Sequence, residues 1–374
     1  MNSLSLEVDD PHAVEFAAFE PSRGFWREVW RRFRKRKLAV AALGLVGCMA
    51  LVAVLAPVIV GTKPIVCRYK GQLYFPCLGY FKPEWEESEA FTKDRIRKKY
   101  SQNLKKRDSE SWAIWPLVYQ DPYRQVEEGE WPDLPANPIH DQGRPSRYNW
   151  FGTTPQGVDV FAEMVHGTTI ALLVGFVSMG IASAIGITLG ALAGYFRGWV
   201  DMVISRLIEI VMCVPQLVLI LALIAILDKP KIWHIMAVLG LTSWTNIARL
   251  IRGEFLRLRE MDYVAAARAL GVRRPRIIFR HILPNGLAPV LVPISFGVAG
   301  AILTESGLSF LGFGAPPPNP SWGTLLNSAR ENLNNWWLVV FPGGAIFLAV
   351  LAYNLIGEGL QDAIDPRLQG GRQA

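Results

Sequence analysis

The sequence holds none of the short motifs that carry common chemistry. Its 374 residues contain no G-x-x-x-x-G-K-[ST] loop to cradle a nucleotide phosphate. They contain no H-E-x-x-H or C-x-x-C ligand pair and no G-x-S-x-G elbow. The five histidines (12, 140, 166, 234 and 281) are scattered, and there are only four cysteines. The chain therefore reads as having no catalytic residue, no metal site and no cofactor. Charge is also sparse, at 19% of residues against 51% from the hydrophobic set. An aromatic share of 11% excludes a disordered chain.

What charge there is stays out of six stretches: 38–60, 167–196, 210–227, 232–248, 282–304 and 332–357. A helix needs about 20 apolar residues to cross the hydrocarbon core, so four of these are long enough alone and 210–227 and 232–248 are short. The third stretch is expected to extend through 202–207, with Asp201, Arg206 and Glu209 pairing or snorkelling at the inner interface. Six such runs exclude a soluble globular enzyme. The predicted fold class is an all-α integral membrane protein of six transmembrane helices.

The net charge of +7 is not evidence for nucleic acid, because the basic residues cluster beside the apolar runs. Eight Lys or Arg and one acid lie within 23–37, and nine Arg and three acids within 249–280. Basic residues flanking a span mark its cytoplasmic side. Both termini are then cytoplasmic. The expected division is an N-terminal cytoplasmic segment 1–37, a first span 38–60, an outer insert 61–166, a five-helix core 167–360 that includes the cytoplasmic loop 249–284, and a cytoplasmic tail 361–374. The first span suits an uncleaved anchor better than a signal peptide, since 37 residues precede it.

The outer insert mixes 15 Lys or Arg with 13 Asp or Glu over 61–150 and does not suit a membrane interior. Its stretch 69–75 predicts a hairpin turning at Lys70-Gly71. The outer compartment permits a Cys67–Cys77 disulfide, whereas a two-residue turn would set Cys67 opposite Tyr74, and the sequence leaves both open. Residues 93–107 read as a solvated helix or loose loop, and Ala315–Pro320 as a Pro-rich outer loop. Cys48 and Cys213 lie in apolar runs and read as packing residues.

Two patterns in the core are informative. Ser178, Ala182, Gly186, Gly190 and Gly194 are five small residues spaced by four, a smooth stripe that admits another helix closely. The stripe fits tight packing within one subunit and equally a bundle around a translocation path. The second pattern is Asp262-Tyr-Val-Ala-Ala-Ala-Arg-Ala-Leu-Gly271 on the cytoplasmic loop. It predicts a short helix with Asp262 as its N-cap, a smooth face of Ala265, Ala266 and Ala267, and Gly271 at its C-terminal turn. Pro284 is then placed to begin the next span. An Ala-rich face suits docking into a groove on a protein better than lying on lipid, which needs bulkier apolar side chains.

This loop resembles the E-A-A-x-x-x-G-x(9)-I-x-L-P element of bacterial ABC importer permeases, with Gly271, Leu283 and Pro284 at matching spacing. Ala265 stands where that element has Glu, and His281 where it has Ile. Trp150-Phe-Gly-Thr-Thr-Pro-Gln-Gly-Val-Asp-Val160, with Val158 for the usual Arg, resembles the entry to span two in the DppC/OppC-type peptide permeases. The stretches 307–314, 357–367 and 26–60 resemble other signatures of that group, and 63–76 resembles the outer insert of its Yej-type branch, associated with microcin C and oligopeptide uptake. The resemblance implies a type I importer permease fold in the bacterial inner membrane. It implies a second homologous permease, cytoplasmic ATPase subunits or one fused double ATPase, and a periplasmic peptide-binding protein. It implies that residues 262–284 form the loop that couples to the ATPase. Two rivals are a secondary transporter, which would need an inverted repeat, and a membrane-anchored enzyme, which would need a catalytic constellation in the insert. Neither feature is visible, and Glu305 is the main ionisable group inside an expected span.

Overall fold

The computed structural model describes residues 25–79, 105–106, 108–122, 143–146, 149–227, 230–314, 319–330 and 334–364. The expected polar stretch 93–107 and the loop 315–320 fall largely outside the described residues, as do most of the two terminal tails.

Among the described residues, each charge-free run is mostly helix, with boundaries set by local chemistry. Helix α1 (Phe25–Phe33) carries Arg27, Arg31 and Arg32 of the first cluster and buries Val29 and Phe33 against Ala39 and Ala363. Helix α2 (Lys37–Ile59) follows, and Arg36 pairs with Asp362 at 2.7 Å, so the start of α2 lies beside the end of the last helix. Helix α3 (Val160–Phe196) is longer than its charge-free run, because Asp159 caps it upstream by accepting from the Ala162 amide at 2.8 Å.

The third run is not one straight span. It divides into α4 (Gly198–Cys213) and α5 (Gln216–Ala225), bent by 85° at Val214-Pro215. Proline has no N–H to continue the ladder and drives the residue before it out of the helical region, here to φ −96°, ψ 129°. Of the charges expected at this inner end, Arg206 pairs with Glu209 at 2.6 Å, and Asp201 pairs with Arg252 instead.

Helix α6 (Ile232–Leu258) runs beside α3, helix α7 (Asp262–Ala269) lies in the loop beyond it, and a short helical stretch over 274–286 includes a π turn at Ile277–Ile282. Helix α8 (Ala288–Phe310) is the next long one. Pro284 therefore does not begin that span. It lies in the preceding turn, and Pro289 stands at the N-terminal end of α8. Helices α9 (Trp322–Ser328) and α10 (Trp337–Ile364) are the last among the described residues. By length and apolarity, α2, α3, α8 and α10 can each cross a membrane, and the bent pair α4–α5 makes a fifth crossing if taken as one.

The segment between α2 and α3 contributes a small antiparallel sheet, order β2-β1-β3, of β1 (Val66–Tyr69), β2 (Gln72–Tyr74) and β3 (Trp112–Ile114). Lys70 and Gly71 both take positive φ (48° and 77°), as a two-residue hairpin turn requires. The register sets Cys67 opposite Tyr74. The Cys67–Cys77 bridge is thus not formed. Both thiols are free, burial pushes Cys67 up to about 11, and the Cys77 sulfur reaches the Ile65 carbonyl at 3.5 Å.

Candidate functional site

The small-residue stripe is the seam between α3 and α6. A Cβ on Gly186 would sit 2.8 Å from the Trp244 carbonyl oxygen, and one on Gly190 would sit 2.5 Å from that of Ala248. At Gly194 it would meet Phe255 Cβ at 2.6 Å. Gly240 on α6 faces Ser178 and Ile181 in the same way, and Ala182 is fully buried. Of the two readings left open, packing within the subunit accounts for the stripe.

A cavity of about 840 Å³ opens on a different side of α6, between the α4–α5 break and α8. One wall is polar, with Thr242, Ser243, Thr245, Asn246 and Arg249 of α6. Gln216 donates to Ser243 Oγ at 3.0 Å, and Arg249 donates to Asn246 Oδ1 at 2.9 Å. The opposite wall is apolar around Pro293, Phe296 and Gly297. This polar wall also explains why α6, long enough to cross a membrane, is not among the helices apolar enough to do so. Sequence reasoning missed these residues. The available signal was the unusual density of hydroxyl and amide side chains within 242–246.

Glu305, the ionisable group singled out on α8, is buried and accepts from Ser309 Oγ at 2.6 Å one turn on. Its carboxyl faces the interior of the bundle and does not line the cavity. At the N-terminal end of α3, Asp159 is also buried, held by Asn149 Nδ2 at 2.6 Å. Burial raises its carboxyl to about 6 against the hydrogen bonds from Ala162 and Asn149, which act to lower it. Its stretch is pinned from above, since Trp337 Nε1 donates to the Thr153 carbonyl at 3.0 Å.

The loop beyond α6 is held by local bonds and by contacts with the bundle. The N-cap of α7 is Met261, so Asp262 is its first helical residue and not its cap. There it still favours the helix, as an acid in the first turn near the positive dipole end. The third position is Val264, buried, and Ala265 follows it, so the missing Glu is not a missing capping-box partner. Val264 and Ala267 hold α7 to the bundle, while Tyr263, Ala265, Ala266 and Leu270 are exposed. Gly271 has φ +73°. Its amide bonds the Arg268 carbonyl at 3.0 Å and the Val272 amide bonds that of Ala267 at 3.1 Å, the two bonds of a Schellman end.

Beyond that end, Ile277, Ile278 and Ile282 are buried in the same core cluster as Phe255 and Leu258 of α6. His281 lies in the π turn, its carbonyl accepting from Asn285 Nδ2 at 2.8 Å, and Leu283 and Pro284 follow in the last turn before α8. Two ion pairs fasten this region: Arg252 with Asp201 of α4, including Nη2–Oδ2 at 2.8 Å, and Arg197 with Glu260 at 2.9 Å. The predicted loop residues are therefore brought together, and this region is tied to the ends of α3, α4 and α6 and to the turn before α8.

Comparison with known proteins agrees with this architecture. Residues 186–370 match the family described as binding-protein-dependent transport system inner membrane component, and residues 24–69 match the N-terminal TM domain of oligopeptide transport permease C. The chain is 41% identical over 235 residues to the dipeptide transport system permease protein DppC of Alkalihalophilus pseudofirmus, covering 63% of this chain and 77% of that one. It is 33% identical over 366 residues to the peptidoglycan transport system permease protein YejE of Agrobacterium fabrum, covering 90% and 92%. It is 34% identical over 341 residues to the inner membrane ABC transporter permease protein YejE of Escherichia coli, covering 90% and 96%. The chain belongs to the family of binding-protein-dependent transport system inner membrane components, with the DppC- and YejE-type permeases among its relatives.

Proposed function

We propose that this chain is one of two permease subunits of an ATP-driven importer of peptides, and that α7 is the element through which ATP hydrolysis in a separate subunit moves the membrane helices. The chain itself performs no chemistry. Its work is the exchange of two helix arrangements. The observation that carries the reading is α7: a short helix outside the spans, anchored by Val264 and Ala267, smooth at Ala265 and Ala266, and closed by Gly271. Its anchor leads through buried Ile277 and Ile282 to α6 and α8, so a push on α7 reaches both walls of the 840 Å³ cavity. That cavity is the half-path this subunit would supply, the other half coming from a second homologous permease.

On this reading the chain crosses the inner membrane six times, as α2, α3, the bent α4–α5, α6, α8 and α10. The termini and α7 are cytoplasmic, and the insert 61–166 is periplasmic, where a peptide-binding protein delivers substrate. The core is 167–360 and the coupling loop 249–284. Peptides are favoured as the substrate class because relatives carry the names of dipeptide and glutathione permeases. A half-polar cavity suits a substrate rich in amide groups.

Gly271 supplies the test. No atom lies within 4 Å of a Cβ built there, so a side chain meets conformational strain and no clash. Valine at this positive φ costs about 1–2 kcal/mol, and asparagine much less. Gly271→Val is expected to lose the ATPase subunit on co-purification while keeping membrane abundance and the partner permease, and Gly271→Asn to restore it. Loss of both partners together would make Gly271 merely structural, and unchanged ATPase binding and uptake would remove α7 from the coupling role.

A further inference from the structure

The loop around α7 carries more arginine than its own acids neutralise. Arg259, Arg268 and Arg274 line a cavity of about 450 Å³ beneath Tyr195 and Phe196 at the end of α3, and no acidic side chain lines it. Arg259 donates to the Tyr195 carbonyl, and its Nε lies 3.5 Å from Glu260, a carboxylate already engaged by Arg197 at 2.9 Å. Arg268 lies over the Tyr195 ring, 5.9 Å from its centre, and reaches the Arg259 carbonyl at 3.4 Å. Among the described residues, neither Arg268 nor Arg274 has a carboxylate partner.

Two guanidinium groups without a carboxylate, beside a third that shares Glu260 with Arg197, have an unmet demand for an anion, and arginine forks match phosphate oxygens. The depth of the pocket narrows the source. Phe196 is 44% exposed and Trp199, three residues on, is 71% exposed. Exposed aromatic residues at the end of a long apolar helix mark headgroup level, and basic pockets at the cytoplasmic ends of spans attract anionic lipid.

We propose that this pocket binds a phosphate group, supplied in the membrane by the headgroup of an anionic phospholipid of the cytoplasmic leaflet. Only the orientation of the chain is taken from the proposed function. The bound headgroup bridges α3, the end of α6 and the C-terminal end of α7, because Tyr195 and Arg268 belong to α3 and α7 and Arg259 is the C-cap of α6. It would thus steady the loop from the bilayer side while the exposed face of α7 stays free.

The test is native mass spectrometry of the full chain, purified with the subunits it assembles with and titrated separately with phosphatidylglycerol, phosphatidylcholine and inorganic phosphate. Wild type is expected to retain phosphatidylglycerol, and Arg268→Gln/Arg274→Gln to bind it at least about tenfold more weakly, the lipid being scored on every species that contains the chain. Arg273→Gln/Arg276→Gln removes the same charge just outside the pocket and is expected to bind as wild type does. Equal retention by both double variants, or equal retention of phosphatidylcholine, overturns the site. Binding of inorganic phosphate that needs Arg268 and Arg274, with no such dependence for phosphatidylglycerol, overturns the lipid assignment.

Discussion

Asp159 shows how a single side chain sets the length of a span and its response to pH. Its carboxyl caps α3 and holds Asn149, yet burial raises it to about 6, above the ordinary carboxylate value of about 3.9. The folded state therefore binds the proton more tightly than an unfolded chain does. The stabilisation from proton uptake is fully present below about 3.9 and is lost as the pH rises through about 6. Amides 160–163, corrected for intrinsic rates, should exchange hydrogen more slowly at pH 5 than at pH 7.5, and Asp159→Asn should reduce the difference. Protection that rises with pH would contradict this account. Gly271 acts differently: its surroundings are empty, and only its backbone angle matters.

Between elements, the α3–α6 seam decides how closely two spans approach. At Gly190 even one methyl group meets a backbone oxygen at 2.5 Å, and a backbone cannot swing aside as a side chain can. Gly190→Ala should therefore destabilise the purified protein by about 1–3 kcal/mol, the usual cost of overpacking, seen as a lower melting temperature. Gly180, on the same helix, has no atom within 4 Å of a built Cβ, so Gly180→Ala should be neutral or slightly stabilising. Equal effects at the two positions would show that helix propensity and not the seam is being measured.

The same elements show what could be read in advance. The positions of the long helices were legible because exclusion of charge is a property of the run itself. The hairpin at 70–71 and the end of α7 were legible because glycine marks positive φ. Asp262 was misplaced by one position because a cap depends on where the preceding loop leaves the helix axis, and Met261 takes that place without a side-chain bond. The 85° bend was signalled by Pro215, but its size depends on how α4 and α5 pack. The cavity was invisible to a search for apolar runs, since its polar wall interrupts the periodicity such a search rewards. Whether the stripe faced a neighbour or a path depended on contacts between helices remote in sequence.

Across the whole molecule, the parts form one mechanical train. An exposed short helix is anchored to α6 and α8, these flank a half-polar cavity, and the sheet of β1–β3 lies beyond the far end of α2. The central claim is that α7 is a cytoplasmic docking element. In a background lacking Cys48, Cys67, Cys77 and Cys213, single cysteines at Ala266 and at Leu117, which is 84% exposed, report the two sides. With an impermeant maleimide, Leu117→Cys should react in intact cells and Ala266→Cys only in inside-out vesicles. Ala266→Cys should react there when the ATPase subunit is omitted and be protected when it is present. Reaction of Ala266→Cys from outside, or at the same rate with and without the ATPase, would contradict the account.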